Sequence, residues 1–292
     1  MTISGLQTAP LAERIKRFAT QRVATSAGQI EFRQAGAAAV VTHVLLHGIG
    51  SGSANWLPQL EAAGGNPSVR VLAWEAPGYG ASAPVSPERP DAGDYAQRLW
   101  AWLDAMQVSQ PVTLVGHSLG ALMAARAARQ RPEQIAKLVL LAPAQGYARA
   151  TDEERQKKLD ERLGALATLG LHGLAQKRAA AMLSPQAGVE MLQYLQSNMA
   201  QLQLAGYTQA IHLLVGGDLL TDLAALGCPI AVASGTADTI TPPEGCQLVA
   251  AATGVQWTDL GYTGHACALD AAVRVNALLC LADIHNPLET CL

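Results

Sequence analysis

Ser118, Asp238 and His265 have the types, order and surroundings that nucleophilic acyl transfer requires. Ser118 stands at the centre of Gly116-His117-Ser118-Leu119-Gly120. The strand-like run Val112-Thr113-Leu114-Val115 precedes it and a small, helix-compatible run from Ala121 to Ala128 follows. Strand, sharp turn and helix in that order expose a hydroxyl at a helix N-terminus, where developing negative charge is favoured. Glycines on either side let the helix pack back on the strand without intervening Cβ atoms. A serine hydroxyl holds its proton tightly near neutral pH, so an imidazole must remove it in the transition state. That imidazole needs a carboxylate behind it to fix its tautomer and stabilise the imidazolium. Gly-x-Ser-x-Gly is weak by itself, so the weight rests on Asp238, His265 and two oxyanion donors. The Leu119 N–H, directly after the serine, is one donor. The Ile49 N–H, in the glycine-rich loop His47-Gly48-Ile49-Gly50-Ser51-Gly52-Ser53, is the expected second.

The elements around these residues alternate. Leu11, Ile15 and Phe18 at i, i+4, i+7 predict a short amphipathic N-terminal helix used for packing. Arg22–Ser26 and Gln29–Gln34 flank Ala27-Gly28 and predict a hairpin of two edge strands. Strands are expected over Val40–Leu46, Val69–Trp74, the run into Gly116, Lys137–Leu141, Cys228–Ser234 and Val255–Thr258. Helices are expected between them, including one carrying Trp56, Leu57 and Leu60, capped by Ser53 or Asn55. Others are expected over Tyr95–Met106, Glu244–Ala252 and Ala266–Leu281. This alternation predicts an α/β fold with a mostly parallel sheet and helices on both faces. Ligands then bind beyond the C-terminal strand ends, where His47, Pro77, Ser118 and Pro143 all fall.

From 146 to 222 the strand signals vanish. Helical patterns run over Asp152–Leu166, Leu174–Leu183, Val189–Gln203 and Gln209–Val215. The stretch 146–222 is therefore expected to be a helical cap over the crevice, with 1–145 and 223–292 forming the core domain. Most of its apolar residues pack helix to helix and a subset lines an apolar pocket. His172 and His212 fall here without a ligand-contacting pattern.

Composition narrows the function classes. Half of the 292 residues are hydrophobic and 15% are charged, enough to bury a sizeable core. A net charge of -3 offers no electrostatic case for nucleic acid or an anionic membrane. Met1–Thr8 shows no signal-peptide pattern and no apolar run reaches the length of a membrane span. Five cysteines, Cys228, Cys246, Cys267, Cys280 and Cys291, form no Cys-x-x-Cys pair. They read as small apolar residues in a reducing, cytoplasmic protein.

Competing assignments are weaker on position. His47 sits in a glycine turn and reads as ordering the oxyanion loop. His117 adjoins Ser118, so its side chain should point elsewhere into packing. Asp259 is too close in sequence to His265 to reach behind it, and Asp222 and Asp270 fall on helix surfaces or their edges. Glu75 ends a neighbouring strand, either as a pocket carboxylate or, more in keeping with its surroundings, as a solvated loop charge. Asp238 remains as the acid.

Taken together, these motifs resemble those of the α/β-hydrolase superfamily. His47-Gly48 is similar to its oxyanion motif, Gly116–Gly120 to its nucleophile elbow, Gly235–Asp238 with Pro242 to its acid loop, and Gly264-His265 to its histidine loop. Ala76–Ser82 is similar to the stretch after the strand before the elbow, and the likeness spans most of residues 25–282 in order. The resemblance implies a catalytic triad of Ser118, Asp238 and His265 with Ile49 and Leu119 as oxyanion donors, and no cofactor or metal. The glycine-rich loop is similar to that of bacterial aromatic-catabolism hydrolases, including enol-lactonases and ring-fission C–C hydrolases. The latter carry a tryptophan after the histidine, where this chain has Ala266. They also carry a cap arginine, to which none of Arg149, Arg155, Arg162 and Arg178 can be matched. Ser118 at the elbow excludes the aspartate nucleophile of haloalkane dehalogenases and epoxide hydrolases. The expected activity is hydrolysis of a small, largely apolar carboxylic ester or lactone. C–C hydrolysis of a ring-fission diketone, or ligand binding without turnover, are the alternatives. The oligomeric state is open.

Overall fold

The computed structural model describes residues 9–281; Met1–Thr8, the stretch read for a signal peptide, and Cys291 lie outside them. Eight strands form one sheet: β1 (Gln21–Val23), β2 (Ile30–Ala35), β3 (His43–Leu46), β4 (Val71–Trp74), β5 (Val112–His117), β6 (Ile135–Leu141), β7 (Ile230–Ser234) and β8 (Trp257–Asp259). Their spatial order is β1-β2-β4-β3-β5-β6-β7-β8. The β1–β2 and β2–β4 pairs are antiparallel and the remaining pairs are parallel. The hairpin reading of β1 and β2 holds, with one correction. Of these two strands only β1 is an edge, because β2 pairs on both sides and buries Ile30 and Phe32.

The helices follow from where the strands leave apolar faces uncovered. α1 (Leu11–Arg14) runs into a 3-10 turn over Ile15–Arg17, and Leu11 and Ile15 are buried with Phe18 packed beside them, as their spacing predicts. α2 (Leu57–Gly65), α3 (Ala92–Ala105) and α4 (Gly120–Gln130) link the central strands. Successive strand residues face opposite sides. Thus Leu114, Leu138 and Leu140 meet α3 and α4, through Tyr95, Leu99, Trp102 and Leu122. Val115, Val139 and Leu141 meet α2 and the C-terminal helices on the other face, through Leu57, Leu60 and Val275. α3 begins earlier than its apolar stripe suggests. Asp91 accepts hydrogen bonds from the Gly93 and Asp94 N–H groups, and Asp94 accepts from the Asp91 N–H. This reciprocal cap satisfies donors that would otherwise be orphaned. Neither Ser53 nor Asn55 caps α2, contrary to expectation; the Ser53 hydroxyl donates to Glu75 instead.

Between β6 and β7 the described residues hold helices and no strand: α5 (Asp152–Ala179), a 3-10 turn over Ala180–Met182, α6 (Val189–Ala200), α7 (Leu204–Gly216) and α8 (Leu219–Leu223). α5 is broken at Gly170, whose φ of 61° and ψ of -179° only glycine adopts readily. The two helices expected over Asp152–Leu166 and Leu174–Leu183 lie on either side of that break. The chain leaves and re-enters the sheet layer at one point: Ala148 donates to the Gly217 carbonyl and Leu219 to the Gln145 carbonyl, each at 3.0 Å. Gly146 is pressed against the Gly217 backbone, leaving no room for a side chain. Asp222, expected on a helix surface or its edge, is instead a buried residue of α8, and Arg126 of α4 pairs with it at 2.6 Å. Desolvation raises its pKa, which that ion pair only partly offsets. α9 (Pro243–Ala252) and the closing helices α10 (Cys267–Asp270) and α11 (Ala272–Leu278) complete the fold. The single C-terminal helix expected over Ala266–Leu281 is thus divided at Ala271. Cys246 and Cys267 are buried as expected, Cys228 is half-buried and Cys280 is exposed.

Candidate active site

Ser118 caps the end of β5 with φ at 52°, a left-handed conformation that a non-glycine residue adopts only under constraint. Three hydrogen bonds supply the constraint. The Ser118 N–H donates to the Leu141 carbonyl at 2.9 Å, and its carbonyl accepts from Ala121 and Ala144 at 3.0 and 3.1 Å. The neighbouring glycines are required sterically. A Cβ on Gly116 would lie 2.6 Å from the Gly120 carbonyl oxygen, and one on Gly120 would strike the Leu46 carbonyl. The serine is therefore held at the head of α4, above the end of β5.

Asp238 follows β7 and His265 follows β8, and the structure brings them together. His265 Nδ1 lies 2.8 Å from Asp238 Oδ2, both side chains being buried. Asp238 Oδ1 accepts from the Ile240 and Thr241 N–H groups at 2.8 and 3.0 Å. Burial opposes ionisation of Asp238, but the His265 and Thr241 hydrogen bonds outweigh it and hold the carboxyl below its ordinary pKa. An ionised Asp238 makes His265 Nδ1 the protonated nitrogen and leaves Nε2 free to accept a proton. Ser118 and His265 line one cavity without a hydrogen bond to each other. Such contacts commonly tighten only when substrate binds.

The two residues whose N–H groups are expected as oxyanion donors lie at the same cavity. Ile49 and Leu119 both line the cavity, and neither N–H has a hydrogen-bond acceptor among the described residues. The loop bearing Ile49 is fixed from three sides. His47 Nδ1 meets the Gly48 carbonyl at 2.9 Å, His47 Nε2 accepts from the Ala76 N–H at 3.0 Å, and the Tyr79 hydroxyl donates to the Ile49 carbonyl at 2.8 Å. Burial lowers the His47 pKa to about 4, so the ring is neutral and can accept from Ala76. Its loop-ordering role agrees with its position in the sequence. A Cβ on Gly48 would sit 2.9 Å from Ser118 Cβ, so this glycine permits the close approach of the loop and Ser118.

The cavity holds about 360 Å³ and reaches from Ser118 and His265 to the helical stretch, where Met182, Met199 and Leu214 give it an apolar lining. Arg162, Arg178, Tyr147 and Tyr207 form a polar end. Of the four arginines noted in this stretch, Arg149 pairs with Asp218 and Arg155 with Asp152, while Arg162 and Arg178 face the cavity. His172 and His212 do not line it.

Several site residues escape sequence reasoning. The Thr241 hydroxyl lies 2.8 Å from Asp238 Oδ2, 3.0 Å from the Ala142 carbonyl and 3.1 Å from His265 Nδ1. Its place three residues after Asp238 is the only signal. His117, expected to point away, lines the cavity, and its Nε2 lies 2.8 Å from the His265 carbonyl. Burial, followed by the neighbouring His265, lowers its pKa to about 3, so the neutral ring donates there. Asp270, expected at a helix surface or edge, accepts from the Gly264 N–H at 2.7 Å and the Ser184 N–H at 2.9 Å, tying the His265 loop to the helical stretch. Glu75 is not a solvated charge. It accepts from the Ser53 N–H at 3.0 Å and from its hydroxyl, holds the end of the glycine-rich loop that begins at His47 and does not line the cavity. Desolvation, opposed by those bonds, raises its pKa to about 7.

A family model described as the alpha/beta hydrolase family matches residues 44–278. The provisionally named carbamate hydrolase RutD of Klebsiella pneumoniae is 30% identical over 246 residues, covering 81% of this chain and 89% of that protein. The enol-lactonase of Burkholderia xenovorans LB400 has a similar fold, with a TM-score of 0.77 at 19% identity over 89% of this chain and 98% of that one. A thermophilic esterase from Thermogutta terrifontis gives a TM-score of 0.73 at 20% identity, covering 88% of this chain and 95% of the other.

Proposed function

The chain belongs to the alpha/beta hydrolase family, and from that premise we propose that it is a serine hydrolase cleaving a small, largely apolar carboxylic ester or lactone through an acyl-enzyme. Ser118 Oγ attacks the acyl carbon while His265 Nε2 takes its proton. The carbonyl π electrons move to oxygen, and the Ile49 and Leu119 N–H groups receive the oxyanion. Collapse of the tetrahedral intermediate breaks the acyl–oxygen bond, and His265 passes its proton to the leaving alkoxide. Water, deprotonated by His265, then attacks the acyl-serine, and Ser118 recovers the proton as the acid departs. Asp238 stays ionised throughout and orients His265. The stretch 146–222 acts as a cap that supplies the acyl pocket and excludes water.

The observation that carries this reading is the 2.8 Å Asp238–His265 hydrogen bond at the wall of the cavity that Ser118 also lines. Carbamates, enol-lactones and esters, named for the relative and structural neighbours above, each present an acyl carbon to a nucleophile. Turnover of p-nitrophenyl butyrate tests it. Wild-type protein is expected to hydrolyse the ester, and Ser118→Ala to lose at least 1,000-fold in kcat. Undiminished turnover by Ser118→Ala would remove the serine from the mechanism.

A further inference from the structure

The polar end of the cavity carries two positive charges and no negative one. No aspartate or glutamate lines the cavity, and neither Arg162 nor Arg178 has an ion pair among the described residues. The Arg162 guanidinium hydrogen-bonds Tyr147, but one of its buried nitrogens, Nη1, has no hydrogen-bond partner among the described residues. Arg178 donates to the Tyr207 hydroxyl at 3.2 Å, and its charge opposes that of Arg162. Burial and then this repulsion lower the Arg162 pKa, while Tyr207 and Tyr147 offset part of the effect. Two like charges in a desolvated site are costly unless an anion joins them.

The backbone places them together by a specific device. Sixteen residues of straight helix would separate Arg162 and Arg178 by about 24 Å. The break at Gly170 turns the second half of α5 back, so that both arginines reach one cavity. Nothing lies within 4 Å of a Cβ built on Gly170, so its left-handed φ, rather than crowding, accounts for glycine there.

We propose that Arg162 and Arg178 form an anion-binding subsite, and that the substrate is an ester or lactone whose end remote from the scissile bond carries a carboxylate. The carboxylate accepts hydrogen bonds from the paired guanidinium groups, the apolar middle of the substrate lies against Met182 and Met199, and the acyl carbon reaches Ser118. The substrate class rests on the serine-hydrolase reading; the anion subsite does not.

The test therefore separates binding from turnover. Monomethyl glutarate and the uncharged methyl pentanoate are titrated by ligand-observed NMR into full-length Ser118→Ala protein, which cannot acylate. The half-ester is expected to bind at least 10-fold more tightly. Adding Arg162→Gln or Arg178→Gln is expected to lower that preference by about 10- to 100-fold. Arg162→Lys should retain part of it, and Arg155→Gln, at a half-buried residue of the same helix that pairs with Asp152 and does not line the cavity, all of it. Without ligand, Arg162→Gln should melt no lower than its parent, because it removes an unpaired charge. Equal binding of the two esters, or an unchanged preference in both glutamine variants, would overturn the subsite. If the half-ester binds as expected but wild-type protein hydrolyses neither it nor p-nitrophenyl butyrate, the subsite stands and the hydrolase reading falls.

Discussion

Replacing Asp238 by asparagine isolates what the carboxylate does for His265. The structure dictates how the amide must sit. Asp238 Oδ1 accepts two backbone N–H groups, from Ile240 and Thr241, so the asparagine carbonyl must occupy that position. Its NH₂ group then faces His265 Nδ1 across 2.8 Å. An NH₂ donor requires Nδ1 to accept, which moves the ring proton to Nε2, where it blocks proton removal from Ser118. The imidazolium also loses its counter-charge, worth about 4 kcal/mol for charges near 4 Å at an effective dielectric of 20. At roughly 1.4 kcal/mol per decade this is about 10³-fold. Adding the tautomer penalty, the loss should reach about 10³- to 10⁴-fold in kcat, the range seen when a triad carboxylate is neutralised. KM should change little, because Asp238 does not line the cavity. The assay is steady-state hydrolysis of p-nitrophenyl butyrate at pH 7.5, with circular dichroism and a melting curve confirming a folded protein. A folded Asp238→Asn enzyme within 10-fold of wild type would refute the tautomer argument and with it the role given to Asp238.

Two further changes probe the oxyanion side. Gly48→Ala introduces a Cβ 2.9 Å from Ser118 Cβ and 3.3 Å from His117 Nδ1; the displaced loop should cost about 3 kcal/mol in the barrier, read as a fall of roughly 100-fold in kcat. Glu75 gives a stability signature. Its folded pKa of about 7 lies above the ordinary glutamate value of 4.5, so between those values the folded state binds the extra proton and stability falls as pH rises. The difference amounts to about 3 kcal/mol. Glu75→Gln should therefore flatten the change in melting temperature between pH 5 and pH 8 and melt higher than wild type at pH 8; an unchanged pH dependence would contradict this assignment.

The parts of the site that can be read from the chain are those where backbone geometry restricts residue choice. Gly116 and Gly120 are legible because no other residue fits between β5 and α4. Asp238 and His265 are legible because each follows a strand whose apolar run identifies it, and parallel pairing then aligns those strand ends. Side-chain direction within a loop or helix leaves no comparable trace. His117 adjoins Ser118 yet turns to the His265 carbonyl, and Thr241 differs from any loop threonine only through its contacts. Glu75 and Asp222 look like solvent-exposed acids until the elements covering them are in place. Arg162 and Arg178 lie 16 residues apart on an apparently ordinary charged helix, and only the turn at Gly170 joins them. The helical pattern on either side of that glycine is visible in the sequence; the direction of the turn is set by packing against α6 and α7.

Mass spectrometry of the intact protein, quenched in acid during turnover of a slowly deacylating p-nitrophenyl ester, tests the proposed mechanism most directly. The account predicts a mass increase equal to one acyl group, located on the peptide containing Ser118 and absent from Ser118→Ala. Turnover with no such adduct, or an adduct on another residue, would contradict it.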